Sequence, residues 1–93
     1  MKVVVLYRPK SEHGRIVDEF IREFQHRYED HKLDIVDVDS RDGVATASLY
    51  DVVQYPSVLV LQSDGYLSKM WSGDNMPLMQ EVAYYAGAQG SLA

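Results

Sequence analysis

Residues 3–7 read Val3-Val4-Val5-Leu6-Tyr7, a short and unbroken run of β-branched and other apolar side chains. Such a run predicts a β-strand over residues 2–7 that is buried on both faces. Pro9 ends the strand, because proline lacks a backbone donor and restricts the residue before it. An amphipathic helix is predicted from about Ser11, its N-cap, to Tyr28. Its buried stripe is predicted to consist of Ile16, Val17, Phe20, Ile21, Phe24 and Tyr28.

The rest of the chain continues to alternate strand and helix patterns. Residues 33–38, 57–61 and 66–71 predict three further strands, and Asp64-Gly65 supplies the positive φ of a tight hairpin between the last two. Two more helices are predicted, over residues 44–53 and from about Pro77 to Ala86. The inward-facing residues of the first of these helices are predicted to be Ala45, Leu49 and Val52 or Val53. Those of the second are predicted to be Leu78, Val82 and Tyr85. Asp74 or Asn75 is predicted to cap the second helix.

This order predicts a three-layer α/β/α sandwich. The first crossover is expected to be right-handed, which makes the first two strands parallel. The hairpin is then expected to pair antiparallel beside the first strand, giving a mixed four-stranded sheet of order 2-1-3-4 with helices on both faces. With 93 residues the chain is predicted to form one domain over residues 1–87, followed by a flexible tail at 88–93.

The charge and the residue spacing of the sequence argue against several classes of partner. The net charge of −5 argues against nucleic acid as a partner, because phosphate binding draws on clustered lysine and arginine. No apolar run reaches the roughly 18 residues of a membrane span, so we expect no membrane partner and a cytoplasmic location. Neither the histidines nor the three aspartates between residues 37 and 48 have the spacing of metal ligands, so we expect no bound metal.

Several short motifs carry a resemblance to thioredoxin and glutaredoxin domains across residues 2 to about 86. They are Tyr7-Arg8-Pro9, Asp37-Val38-Asp39, the segment from Leu49 to Leu61, the Asp64-Gly65 hairpin and Gly73 before the last helix. The resemblance implies a thioredoxin-like fold with a cis-proline at Pro56. It also places the Cys-x-x-Cys pair of those families on Ser11-Glu12-His13-Gly14.

The chain contains no cysteine. Thiol–disulfide exchange needs a thiolate that attacks a disulfide sulfur, so the residues of this chain cannot perform it. Ser11 has three open interpretations: a hydroxyl that bonds a ligand at the helix N-terminus, a helix cap, or a replacement of a natural cysteine. The helix cap is the preferred interpretation. His13 is predicted to be a solvated residue of the first helical turn.

Tyr55-Pro56-Ser57 is the candidate binding element. In the families it resembles, backbone groups beside the cis-proline pair with an extended peptide or with the cysteinyl part of glutathione. Tyr7, Tyr55 and Trp71 are candidates for an aromatic rim. Gly73 and Asp74 stand where glutaredoxins hold the γ-glutamyl end of glutathione, although a helix cap is the preferred interpretation of Asp74.

Three functions therefore compete. The leading one is a non-catalytic protein that binds a peptide or protein partner through the face of Ser11 and Pro56, without a cofactor. The second is a glutathione-binding chain resembling half of a glutathione transferase, with Tyr7 or Ser11 stabilising the thiolate. The third is a structural or assembly subunit.

Overall fold

The computed structural model describes residues 2–73 and 76–88. Its elements, in chain order, are strand β1 (Lys2–Tyr7), helix α1 (Gly14–Arg27), strand β2 (Leu33–Asp37), helix α2 (Arg41–Leu49), strand β3 (Ser57–Leu61), strand β4 (Leu67–Ser72) and helix α3 (Met79–Ala83), which a π-helical turn (Tyr84–Ala88) extends.

The four strands form one mixed sheet of order β2-β1-β3-β4, as the sequence predicts. β1 is parallel to β2 and antiparallel to β3, and β4 is antiparallel to β3. The predicted hairpin joins the last two strands, and Gly65 at its turn has a φ of 92°, a conformation that glycine adopts without strain.

Helices cover both faces of the sheet, which confirms the three-layer arrangement. On one face, α1 and α3 pack against alternate residues of β1 and β3; the core there includes Val3, Val5, Val17, Phe24, Val58, Val60 and Val82. On the other face, α2 and the segment after it pack against Val4, Leu6, Leu59 and Leu61 through Ala47 and Val52. β1 and β3 are buried on both faces because each side chain meets one of these two cores.

Helix α1 begins three residues later than the sequence predicts. Ser11 is not its N-cap; His13 holds that position, and no side chain caps the helix. The predicted stripe is buried at Val17, Ile21 and Phe24, but Ile16 is 55% exposed.

Helix α2 has a different buried face from the predicted one. It begins at Arg41 after Ser40, whose side chain accepts a hydrogen bond from the Gly43 N–H at 3.0 Å. Gly43 and Ala47 face inward, whereas Leu49 is 72% exposed. The predicted bounds 44–53 and the predicted inward positions of Ala45 and Leu49 were wrong, because Gly43 and Ala47 let this helix approach the sheet. Val52, just beyond the helix, is buried as predicted.

The last helix also differs from the prediction. Its N-cap is Leu78, which is exposed rather than buried, while Val82 is buried as expected. Tyr84 is exposed and Tyr85 is half-buried, since neighbouring residues on a helix face different directions. The predicted caps Asp74 and Asn75, and residues 89–93 of the predicted tail, lie outside the described residues.

Candidate functional site

Three segments named by the sequence analysis converge at one end of the sheet. β1 ends there at Tyr7, β3 begins there at Ser57, and β4 ends there at Ser72. The sheet register pairs Leu6 with Ser57, and Ser57 with Ser72, so the residues just beyond these strand ends are neighbours. Tyr7, the Tyr55–Pro56 turn and Gly73 are therefore brought together.

The Tyr55–Pro56 turn lies at the start of β3. The Tyr55–Pro56 peptide bond is cis, and Pro56 is buried. The Gly73 N–H donates to the Pro56 carbonyl oxygen at 3.0 Å, which ties the turn to the end of β4. Within residues 2–73 and 76–88, the main-chain N–H and C=O of Tyr55 form no hydrogen bond. Its half-buried ring packs against the α2 side of the core.

Ser57 has a structural role in this turn. Its side chain is fully buried, and its hydroxyl donates to the Gln54 carbonyl oxygen at 2.6 Å. It also shares a hydrogen bond of 2.8 Å with the hydroxyl of Ser72. The Ser57 hydroxyl, one of the candidate binding groups, is thus occupied within the protein and fixes the path of the chain around Pro56.

Gly73 is the described half of the Gly73–Asp74 candidate; Asp74 lies outside the described residues. Gly73 has a φ of 106°, in the region that favours glycine. Its N–H is the donor to Pro56, so the main chain of Gly73 holds the turn in place.

The loop between β1 and α1 folds back on Arg8. The Ser11 hydroxyl donates to the Arg8 carbonyl oxygen at 2.6 Å, and the Arg8 N–H donates to Nε2 of His13 at 3.1 Å. The structure therefore corrects two expectations: Ser11 closes a turn instead of capping α1, and half-buried His13 is a hydrogen-bond acceptor instead of a solvated residue. Glu12 is exposed between them.

Gly14 is buried beneath Pro9. A Cβ at position 14 would overlap the Pro9 carbonyl oxygen and lie 2.8 Å from the carbonyl carbon. The close approach requires glycine, so this backbone has no room for any side chain at the position where the resemblance places the second cysteine.

The Tyr7 hydroxyl points to helix α1. It donates to Oδ1 of Asp18 at 2.6 Å, and its ring is almost fully buried. Burial, followed by the hydrogen bond to Asp18, raises the pKa of Tyr7 from 10.0 to about 12. The Tyr7 phenol is therefore held in its neutral form by Asp18 of helix α1.

Arg8 and Asp39 form an ion pair that the sequence analysis did not identify as part of the site. Arg8 Nε and Nη2 donate to the two carboxylate oxygens of Asp39 at 2.9 and 3.2 Å. The hydrogen bond lowers the pKa of Asp39 and raises that of Arg8, with a smaller contribution to Arg8 from Tyr55. The signal was present: β1 and β2 are parallel, so the opposite charges that follow each strand meet at one edge.

Grooves, metal-ligand clusters and membrane-spanning helices are the other features to consider in the part of the chain that the structure describes. Three surface grooves lined by described residues lie away from the Tyr55–Pro56 turn. No three histidine, aspartate or glutamate side chains among residues 2–73 and 76–88 are grouped to hold a metal ion. Over the same ranges, no helix has the length and apolar character needed to cross a membrane.

Comparisons with known proteins give a clear result for the fold. No protein-family model and no curated protein matches the sequence. Among solved structures, thioredoxin 1 from Thermosipho africanus TCF52B is 15% identical over 99% of this chain and 97% of its own, with a TM-score of 0.69.

Two eukaryotic thioredoxins are similar to a comparable degree. Thioredoxin O2 from Arabidopsis thaliana is 16% identical over 88% of this chain and 68% of its own, with a TM-score of 0.66. Mitochondrial thioredoxin 3 from Saccharomyces cerevisiae is 20% identical over 87% of this chain and 71% of its own, with the same TM-score. The predicted fold is thereby confirmed: the chain has a thioredoxin-like fold, built without a single cysteine.

Proposed function

We propose that this chain is a redox-inactive thioredoxin-fold protein that binds an extended segment of a protein partner at the Tyr55–Pro56 turn. Two observations support the redox-inactive part. The sequence has no cysteine to supply a thiolate. Gly14, in addition, leaves no space for a side chain at the position where the resemblance places the second cysteine.

The observation that carries the proposal is the main chain of Tyr55. Its neighbours are already occupied: the Gln54 carbonyl accepts from Ser57, and the Pro56 carbonyl accepts from Gly73. The N–H and C=O of Tyr55 form no hydrogen bond among the described residues. An added strand binds through such main-chain groups, so this mode of recognition needs no sulfur.

The surroundings suit a protein partner. The half-buried ring of Tyr55 offers an aromatic contact, and aromatic side chains are enriched in protein interfaces. The Arg8–Asp39 pair beside it adds charged groups that are about half exposed or more. One solved structure with the same fold is a complex of ferredoxin:thioredoxin reductase with thioredoxin f2, which supports a protein partner for this fold.

We do not extend the proposal to glutathione. A tyrosine that stabilises a thiolate needs a hydroxyl directed to the ligand, whereas the Tyr7 hydroxyl donates to Asp18. The raised pKa of Tyr7 also argues against thiolate stabilisation by this residue. The Ser11 hydroxyl, the other candidate, already donates to the Arg8 carbonyl oxygen. We expect calorimetric titration with millimolar glutathione to give no binding heat; a saturable isotherm would return glutathione to consideration.

The experiment uses a peptide selected from a random phage-displayed library against the whole chain. Amide chemical shifts of ¹⁵N-labelled protein are then followed as that peptide is added. We expect the largest changes at Arg8, Tyr55 and Gly73, and about a fivefold weaker affinity for Tyr55→Ala, the loss of one interface side chain. Tyr66→Ala is the matched control, because Tyr66 is 72% exposed at the distant β3–β4 turn. Changes centred elsewhere, or equal losses in both variants, would contradict the proposal.

A further inference from the structure

Strand β2 is one edge of the sheet. It pairs with β1 on one side, and no other described strand lies on its outer side. Beside it runs an open groove of about 460 Å³, bounded by β2 and by helix α2. Asp34 and Val36 line the groove from the strand, and Asp42, Ala45 and Thr46 line it from the helix. The groove lies outside the Tyr55–Pro56 turn and has no part in the proposed function.

The groove is acidic. Asp34 and Asp42 contribute two carboxylates, against the single ammonium group of Lys2. The Asp37 side chain is in register with Tyr7 and faces the other side of the sheet, where its Oδ1 accepts a hydrogen bond from the Asp39 N–H. Lys2 Nζ lies 3.2 Å from the Asp34 carboxylate, and both side chains are about half exposed. Asp42 forms no ion pair with another described residue. The excess of carboxylates beside an open strand edge therefore favours a positively charged occupant.

We propose that an extended segment of a basic protein partner adds to the outer edge of β2 and places a lysine or arginine side chain in this groove. An edge strand offers unpaired N–H and C=O groups to an added strand. Alternate side chains of that strand point to the same face, about 7 Å apart, so one of them reaches Asp34 and Asp42.

A second copy of this chain fits the edge poorly. If two β2 strands paired antiparallel about Ile35, the pleat would place Leu33 opposite Asp37 and Asp34 opposite Val36. Each carboxylate would then face an apolar side chain instead of a cation. Each copy also carries a net charge of −5, which opposes self-association and favours a basic partner.

The probe for this inference is the blocked peptide acetyl-Thr-Lys-Val-Lys-Val-Lys-Thr-amide, compared with its counterpart in which glutamate replaces each lysine. Amide shifts of the ¹⁵N-labelled chain report where each peptide binds. We expect the lysine peptide to shift residues 33–37 and 41–46 and to bind at least about tenfold more tightly than the glutamate peptide. Methylating alternate peptide nitrogens of the lysine peptide, in the register that faces β2, is expected to abolish these shifts.

Two variants separate a local site from general charge attraction. Asp42→Asn and Asp51→Asn each remove one negative charge, and asparagine tolerates the positive φ of 55° at position 51. We expect Asp42→Asn to raise the Kd of the lysine peptide about threefold to fivefold and Asp51→Asn to leave it unchanged. Equal effects, shifts spread over the whole surface, or shifts centred on Tyr55 would overturn the inference. A dimer that buries β2 in sedimentation experiments would also overturn it.

Discussion

Gly14 lies so close to Pro9 that a side chain at position 14 would overlap the Pro9 carbonyl oxygen. This contact distinguishes the two positions at which the resemblance places cysteine. Position 11 carries a serine, which differs from cysteine by one atom, but position 14 is closed by the backbone itself. The absence of a side chain at position 14 is therefore a property of how the β1–α1 loop packs, and one substitution at Ser11 cannot create a cysteine pair.

The first prediction concerns the stability of this contact. We expect Gly14→Ala to lower the free energy of unfolding by about 1–3 kcal/mol, because the new methyl group must displace Pro9 or the start of α1. Urea denaturation measures the change. Arg15→Ala, an exposed substitution on the same turn, is expected to stay within about 0.5 kcal/mol of the parent chain. Equal stability of Gly14→Ala and Arg15→Ala would show that the loop has room after all.

The second prediction concerns Ser11→Cys. The new thiolate is expected to attack oxidised glutathione, releasing one glutathione and forming a mixed disulfide with the other, and the chain has no second thiol to resolve it. The variant should therefore show no catalytic turnover in an insulin-reduction assay. Ser63→Cys, on the exposed turn between β3 and β4, controls for an ordinary surface thiol. Turnover by Ser11→Cys above that of Ser63→Cys would contradict the prediction.

The third prediction concerns pH and Tyr7. The pKa of Tyr7 in the folded chain, about 12, is higher than its ordinary value of 10.0. The folded state therefore binds this proton more tightly than the unfolded state does. The stabilisation is complete below pH 10 and is lost as pH rises from about 10 to about 12. We expect the stability difference between the parent chain and Tyr7→Phe to shrink over this range.

Ultraviolet absorbance gives a direct check on the same residue. The difference between the phenolate titrations of the parent chain and Tyr7→Phe isolates Tyr7 and should have its midpoint near pH 12. Tyr66→Phe removes an exposed phenol and serves as the control. A midpoint near pH 10 for the Tyr7 difference would mean that its hydroxyl is not held by Asp18.

The fourth prediction concerns the Arg8–Asp39 pair. The hydrogen bond from Arg8 lowers the pKa of Asp39, so the pair contributes stability above the ordinary aspartate pKa and loses it as pH falls through the lowered value. We expect Arg8→Gln to raise the pKa of Asp39 towards that of an ordinary aspartate. Carboxyl-carbon NMR titration measures it, with Lys2→Gln as the control because Lys2 pairs with Asp34. No change in Asp39 would contradict the pairing.

Much of the fold could be predicted because local pattern and packing agree. The unbroken apolar runs of β1 and β3 match strands buried between two cores, and Asp64-Gly65 matches the turn between β3 and β4. Helix α2 could not be placed correctly from apolar spacing, because the decisive interaction is tertiary. A Cβ at Gly43 would overlap the Asp37 carbonyl oxygen, so glycine, not valine or leucine, faces the sheet there.

The convergence of the candidate segments was predictable, but their hydrogen bonds were not. The order of motifs identified the Tyr55–Pro56 turn, which lies beside the end of β1 as the strand order requires. Which hydroxyls remain free depends on contacts between distant residues. The sequence cannot show that Ser57 bonds Gln54 and Ser72, or that Tyr7 bonds Asp18, because both depend on side-chain directions within the folded core.

The most direct test of partner binding at Tyr55 compares two forms of the phage-selected peptide. One is unmodified, and the other is methylated at the single nitrogen that donates to the Tyr55 carbonyl, identified from the peptide-bound structure. Because the contact is proposed to be a main-chain hydrogen bond, we predict that methylation weakens binding about tenfold or more, as measured by calorimetry. Equal affinities of the two peptides would contradict recognition by strand addition at this turn.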